Sequence, residues 1–386
     1  MMKLWIVIGL LCAFVGCSNA TPPPPTVAPT EPPPPTAASV AAEPDIVVPD
    51  GFQITVAYRG LDLPTALAGD GKQLYVTEFQ SGLVKRLTDT NGDGIFDNNT
   101  KFAEGFKFPR GIAIEPKTGD VYVASLGQIN ALRDTNGDGV ADENRVVIDN
   151  LFYVDASHAN NGIAFGPDGK LYITEGHPRQ NQVQINPKNK RVRYKGEPVS
   201  EWAGTILRAD PDGKNIEIFA KGFRNPYDLA FDAQGALYAT DNGEDLKQGK
   251  PEGDELNLIE QGGDYGFPFF VADPPPDSGT RAPLINFEQA SSPNGLVIYE
   301  SDHFPAEYRG NIFVALFSDP RRIARVFQDA NGKWQAVDFI TGLNRPIDLV
   351  VGADGALYIA DMNSGEGRNT ADPNNPAVIY RVDVTK

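Results

Sequence analysis

Cysteine is almost missing from this chain. Only Cys12 and Cys17 occur among 386 residues, both close to the N-terminus. Whatever folds after them holds no disulfide, so its core alone must stabilise it. Roughly 340 residues are enough for that, provided that no long sheet edge is left free. Histidine is equally scarce, with three copies at His158, His177 and His303. Positive charge is in short supply: 34 Lys and Arg face 51 Asp and Glu, a formal charge of −17. Such a surface argues against nucleic acid or an anionic membrane as partner. No unbroken block of like charge marks an interaction tail. The one strongly apolar run, Leu4 to Val15, is too short for a stable membrane-spanning helix.

That run follows Lys3 and ends Phe14-Val15-Gly16-Cys17-Ser18. It resembles a bacterial lipoprotein signal, in which Cys17 is lipidated and becomes the first residue. Phe14 stands where Leu is usual, and an ordinary secretory signal is the alternative. Residues 20–44 are Pro, Thr and Ala with hardly any charge, the composition of an extended spacer. The expected organisation is a signal over 1–16, a lipidated Pro-rich tether over 17–45 and one domain over 46–386. The domain would be exported and held at the cell envelope, meeting the membrane only through its anchor.

Within the domain one phrase recurs six times. It is an apolar run, a Gly- or Asp-rich turn and a second run centred on an aromatic. The copies are LAGDGKQLYVTE (67–78), IAIEPKTGDVYVAS (112–125), IAFGPDGKLYITE (163–175), LAFDAQGALYATD (229–241), a stretched version over 296–316, and LVVGADGALYIAD (349–361). Tyr75, Tyr122, Tyr172, Tyr238, Phe313 and Tyr358 are the equivalent aromatics. A further strand precedes each copy and another follows it. Four short strands per repeat predict an all-β, six-bladed β-propeller. The last repeat stops after three strands, and the spare strand 52–61 can supply its fourth and close the ring.

A propeller has one axial mouth, and the register says which residues stand there. Residues before the inner strands are Thr65, Arg110, His158, Arg224, Asn225, Asn294 and Arg345. Residues after the second strands include Glu78, Ser125, Glu175, His177, Asp241 to Glu244, Asp319, Asp361 and Asn363. His158 and His177 fall in loops of one blade, and a mouth histidine is a natural general base. The bland alternative is a surface-loop histidine. The arginines can pair with Asp241 and Asp361, or bind an anionic cofactor.

KGFRNPYDLAFDAQGALYATDNGED, followed by DELNLIEQGGDYGFP, resembles the signature of soluble quinoprotein glucose/sorbosone dehydrogenases. SHANNGIAFGPDGKLYITEG and NRPIDLVVGADGALYIAD are similar to other blades of that family. The resemblance implies a six-bladed propeller that uses pyrroloquinoline quinone and calcium to oxidise a small sugar-like substrate, the electron acceptor being unspecified. It makes His158 the base that takes the hydroxyl proton as hydride passes to the quinone. It makes Arg224 the donor to the reacting quinone carbonyl, with Asn225 beside it, and Arg345 a partner of a cofactor carboxylate. The carbonyls of Gly243 and Glu244 match the cofactor calcium, and Glu255 with the Tyr265 carbonyl match another calcium. Two departures stand out. Phe108-Pro109-Arg110 replaces an expected glutamine, so Arg110 joins the cofactor set. The lysine expected in blade five is not evident, and Arg321 and Arg322 are the nearest basic residues.

Two turns carry a separate signal: DTNGDGIFD (89–97) and DTNGDGVAD (134–142). Asp89, Asn91, Asp93 and Asp97, and likewise Asp134, Asn136, Asp138 and Asp142, repeat the opening of an EF-hand calcium loop around a central Gly. Thr100 and Arg145 replace the closing Glu, and the flanks are strands. A polar Asx-type turn is the competing explanation. Two other functions remain open at the level of sequence. One is a metal-dependent lactonase-type hydrolase using Glu78, Asn225 and Asp241; the other is a non-catalytic propeller that binds a glycan or a protein.

Overall fold

The computed structural model describes residues 45–385 apart from 70–72, 180–181, 187, 189–190, 244–252, 271–273, 289 and 363–375. The expected signal, Cys17, nearly all of the expected tether, Glu244 and Asn363 lie outside the described residues. No α-helix occurs among the residues described. Strand β1 spans Phe52–Leu61. The first sheet orders β2 (Pro64–Gly69), β3 (Gln73–Glu78), β4 (Leu83–Thr88) and β5 (Asn98–Glu104). The second orders β6 (Gly111–Ile114), β7 (Val121–Ser125), β8 (Gln128–Arg133) and β9 (Glu143–Ile148). β10 (Asn160–Phe165) and β11 (Leu171–Glu175) open the third. A small separate sheet is inserted next, made of β12 (Val183–Asn186), β13 (Arg191–Tyr194) and β14 (Glu197–Pro198). β15 (Thr205–Ala209) and β16 (Glu217–Lys221) complete the third.

The fourth sheet contains β17 (Pro226–Phe231), β18 (Leu237–Asp241), β19 (Asp254–Ile259) and β20 (Ile285–Phe287). The fifth contains β21 (Pro293–Tyr299), β22 (Asn311–Leu316), β23 (Arg322–Gln328) and β24 (Trp334–Thr341). In the sixth, β25 (Pro346–Val351), β26 (Leu357–Asp361) and β27 (Ala377–Val384) are joined by β1. β1 pairs antiparallel with β27 from Phe52↔Val384 to Leu61↔Ala377. The spare N-terminal strand therefore does enter the last sheet.

The repeated phrase has a physical basis. In the third, fourth and sixth sheets the turn aspartate accepts backbone amides on one oxygen and the repeat tyrosine hydroxyl on the other. Asp168 takes the Lys170 amide at 3.0 Å and the Tyr172 hydroxyl at 3.0 Å. Asp232 and Asp354 serve Tyr238 and Tyr358 in the same way. Gly169, Gly235 and Gly355 follow at φ +75°, +86° and +78°, where a side chain is strained. Each repeat aromatic faces a small or β-branched residue of the neighbouring inner strand, as in Ala68↔Tyr75 and Val297↔Phe313.

Apolar side chains pack between sheets as well as within them. Six clusters join the first sheet to the second and so on to the sixth, and the sixth packs against the first. Tyr122 meets Phe165 and Tyr172 meets Phe231 edge-to-face across such boundaries, at 4.9 and 5.0 Å between centroids. This is the layout of a β-propeller. The inner strands leave little room on the axis. Asp228 accepts the Leu296 amide at 3.1 Å, and Asp348 accepts the Leu67 amide at 2.6 Å. Both carboxyls titrate above their ordinary range because they are buried. Gly162 and Gly295 make space for them. A Cβ there would lie 2.6 Å from Asp228 Oδ1 and 2.0 Å from Asp348 Oδ1.

Candidate functional site

A polar cavity of about 180 Å³, partly open to solvent, lies next to these inner strands. Thr65, Arg110, His158, Arg224, Asn225, Gly243 and Asn294 line it, as the strand register predicts. Asn242, expected at the mouth, lines it too, and so do Phe79, Arg179, Asp254, Ser292, Phe317 and Met362, which a search for polar mouth residues missed. A signal for three of them existed. Phe79, Phe317 and Met362 each directly follow the second strand of a sheet, as Asn242 does.

His158 is 2 % exposed. Its Nδ1 lies 2.6 Å from the His177 carbonyl. A carbonyl can only accept, so Nδ1 carries the hydrogen and Nε2 keeps its lone pair. Burial, reinforced by the Arg224 charge, lowers the His158 pKa to about 3. The ring is therefore neutral, as a base must be. His177 is placed differently from the sequence expectation. It is absent from the cavity wall, its ring meets Phe267 at 5.1 Å, and Nδ1 lies 2.7 Å from the Pro178 carbonyl. Burial lowers its pKa to about 4. It serves the site through its backbone. Glu175, expected at the mouth, is fully buried away from the cavity, and burial raises its carboxyl well above the ordinary range.

Arg224 is buried, and its Nη1 donates to the Asn242 carbonyl at 3.0 Å. Asp241 fixes this loop through its backbone. Its carboxylate accepts the Arg224 amide at 3.0 Å and the Asn225 amide at 2.7 Å. Burial raises the Asp241 pKa to about 7. Asp361 repeats the device two sheets on, taking the Asn344 and Arg345 amides at 2.7 Å each. Arg345 is not in the cavity lining, and its guanidinium lies 5.6 Å from the centre of the cavity residue Phe317. Arg110 donates from Nε to the Ala156 carbonyl at 2.6 Å and lies over Phe79 at 4.7 Å. Arg321 and Arg322 are engaged elsewhere, with Asp319 and with Glu288 and Asp338.

Gly243 donates its amide to Asp254 at 2.9 Å, and Ser292 does so at 2.8 Å, which pins the 243 loop to the cavity wall. Glu255 and Tyr265 are buried and do not line the cavity; Tyr265 stacks on Phe223 at 4.6 Å. Glu255 accepts Asn257 Nδ2 at 3.1 Å, while the buried Asn257 Oδ1 makes no hydrogen bond. In the twin turns the acids cap backbone amides. Asp89 takes those of Asn91, Gly92 and Gly94, and Asp134 takes those of Gly137 and Gly139. Asn91 and Asp93, with Asn136 and Asp138, cap the following amides, while Asp97 and Asp142 hold Thr90 and Thr135. Among the described residues no three His, Cys, Asp or Glu side chains converge to hold a metal. Glu78, one of the hydrolase candidates, bonds instead to the Asp62 amide and to Lys85.

Known proteins share this architecture. A Thermus thermophilus chain assigned as an oxidoreductase (glucose dehydrogenase) superposes with a TM-score of 0.68 at 26 % identity, covering 86 % of this chain and all of that one. The PQQ-bound aldose sugar dehydrogenase of Streptomyces coelicolor gives 0.65 at 23 %, covering 87 % of this chain and all of that one. By sequence, aldose sugar dehydrogenase YliI of Escherichia coli is 25 % identical over 232 residues, 54 % of this chain and 59 % of that protein. Quinoprotein glucose dehydrogenase B of Acinetobacter calcoaceticus is 30 % identical over 129 residues, 29 % of this chain and 26 % of that protein. The chain spans about half the length or less of these curated relatives. Its resemblance to soluble quinoprotein sugar dehydrogenases thus extends from motifs to fold. Residues 36–365 match the sequence model of a family described as a domain of unknown function (DUF7133), and the chain belongs to that family.

Proposed function

We propose that the chain is a quinoprotein dehydrogenase that oxidises a sugar, polyol or aldehyde. The observation that carries this is the neutral His158, with Nε2 free to accept, set among guanidinium groups in one cavity. Six sheets packed in cyclic order, the last completed by β1, support a six-bladed ring with that cavity at its mouth. His158 takes the proton of the substrate hydroxyl. Arg224, anchored by the Asn242 carbonyl, offers its cation where an oxyanion develops. Asn225 is held beside it by Asp241. Arg110 and Arg345 supply cations for an acidic cofactor. The donor set suits pyrroloquinoline quinone, a planar tricarboxylate that when bound supplies the two-electron acceptor for hydride.

Calcium fits the oxygen-rich surroundings. The orphaned Asn257 Oδ1 beside Glu255 is an oxygen that a cation near Glu255 and the Tyr265 carbonyl would satisfy. Gly243 and Glu244 carbonyls would serve the cofactor calcium, and the twin turns a structural one. Anchoring at Cys17 after export is part of the same proposal, and loss of labelled-lipid incorporation in Cys17→Ser tests it. The decisive assay mixes purified protein with calcium and a redox dye, with and without the quinone, over a panel of aldoses. Quinone-dependent dye reduction is expected; quinone binding without turnover of any sugar would leave a binding propeller.

A further inference from the structure

The acidic surface has one exception. Residues 178–196 contain Arg179, Lys188, Lys190, Arg191, Arg193 and Lys195 and no Asp or Glu, in a chain with a formal charge of −17. Neutral residues separate most of these cations, so no long unbroken run betrays them. The segment holds β12 and β13 of the inserted sheet, whose short third strand β14 follows and adds one exposed carboxylate, Glu197; it leaves the third sheet at the end of β11, the cavity side. Lys188, Arg193 and Lys195 are exposed. Arg193 bonds the Gly196 carbonyl at 2.6 Å and Lys195 lies over Tyr194 at 4.8 Å. None of the three forms an ion pair among the described residues. Arg179, at the stem, lines the cavity and is not needed for the proposed cofactor. Its Nη1 stands 3.3 Å from Asp155, whose other oxygen caps the His158 loop. The segment that carries the exposed cations is thus rooted at the cavity wall through Arg179.

We propose that this insertion binds a saccharide chain bearing a carboxylate on successive units, a polyuronate, whose end unit enters the cavity past Arg179. The proposal rests on the sugar-oxidation function above and names its substrate class. Guanidinium groups match carboxylates bidentately. A sugar unit can also lie against the aromatic rim, where Phe108 is 40 % exposed and packs on Phe79 at 4.9 Å. An anionic bilayer fits less well, because a broad negative plane would meet the acidic remainder of the surface as well as the insertion.

The test is calorimetric titration of the quinone-free protein with tetragalacturonate and with maltotetraose. Binding of the uronate alone is expected, weakening between low and physiological salt. Reversing three exposed charges, K188E with R193E and K195E, should weaken it roughly tenfold or more, and R179A should weaken it too. Melting temperatures of both variants verify folding; these side chains lie outside the core. No uronate binding, or equal binding by the charge-reversed protein, overturns the proposal. So does co-sedimentation with phosphatidylglycerol vesicles, dependent on the insertion, with no uronate binding. Dye reduction separates the two claims. Turnover of neutral aldoses without uronate binding sinks this proposal, and uronate binding without turnover of any sugar sinks the oxidation chemistry.

Discussion

His158 gains its chemistry from a backbone carbonyl. The His177 oxygen can accept only, so it fixes the tautomer that leaves Nε2 available. His158→Gln should keep the fold and lower turnover by about two to four decades, the usual worth of a positioned base. His177→Gln is the control, because that residue contributes its carbonyl, which glutamine retains. Equal losses in both variants would show that side-chain burial, not base chemistry, matters here. Since burial lowers the His158 pKa to about 3, the acid limb of kcat/KM should lie well below the ordinary histidine value of about 6.5. Arg224→Ala should cost about 2.7–4 kcal/mol in kcat/KM, typical for one lost oxyanion donor. Arg224→Lys should recover little of it, since lysine lacks the planar fork. Full activity in the alanine variant removes Arg224 from the mechanism. The strand register placed His158 and Arg224 in the cavity correctly. It could not show that Asp241 and Asp361 grip backbone amides, because side-chain direction is not written in spacing.

At the level of elements, the third, fourth and sixth sheets were the most legible because their repeats need the same turn: an aspartate, a left-handed glycine and a tyrosine that bonds back to the aspartate. The glycines of the inner strands carried no such label. Gly295 has an ordinary φ, and its need for no side chain comes from Asp348 on another sheet. Gly295→Ala should therefore destabilise by about 1–3 kcal/mol or more, the range for overpacking a filled site, as read from the urea midpoint. A neutral result would mean that Asp348 swings aside. The twin turns give a second test. A calcium chelator should lower the melting temperature of the cofactor-free protein by an amount that Asp89→Ala with Asp134→Ala abolishes. An unchanged melting curve would leave both turns as self-capped hairpins, stabilised by their own amide contacts.

Over the whole molecule, buried histidines tie stability to pH. His158 and His177 are neutral in the native state, lowered to about 3 and about 4. Unfolded, they titrate near 6.5. Between those values the unfolded chain binds protons at these rings that the native one does not, so their contribution to stability is lost as pH falls below about 6.5, while the raised carboxyls of Asp228 and Asp241 act in the opposite sense. Doubly substituted His158→Gln, His177→Gln protein should show a flatter acid limb in denaturant midpoint against pH, by up to about two protons. An identical slope would mean that neither ring is buried neutral in solution. The scarcity of histidine makes this test clean. The basic insertion was less visible to whole-chain reasoning, because a net charge sums over regions that never share a surface.

The pairing of β1 with β27 has a temporal side. On the ribosome β1 is made before every other strand described, while its partner β27 (Ala377–Val384) is made after them all. Until that stretch emerges, one sheet lacks its outer half and Phe52 lacks part of its cluster with Val378, Tyr380 and Val382. Long-range closure of this kind is slow and comes late. The sheet is thus built to stay incomplete until β27 has been made, and truncation within β27 should do more harm than a deletion in any hairpin turn.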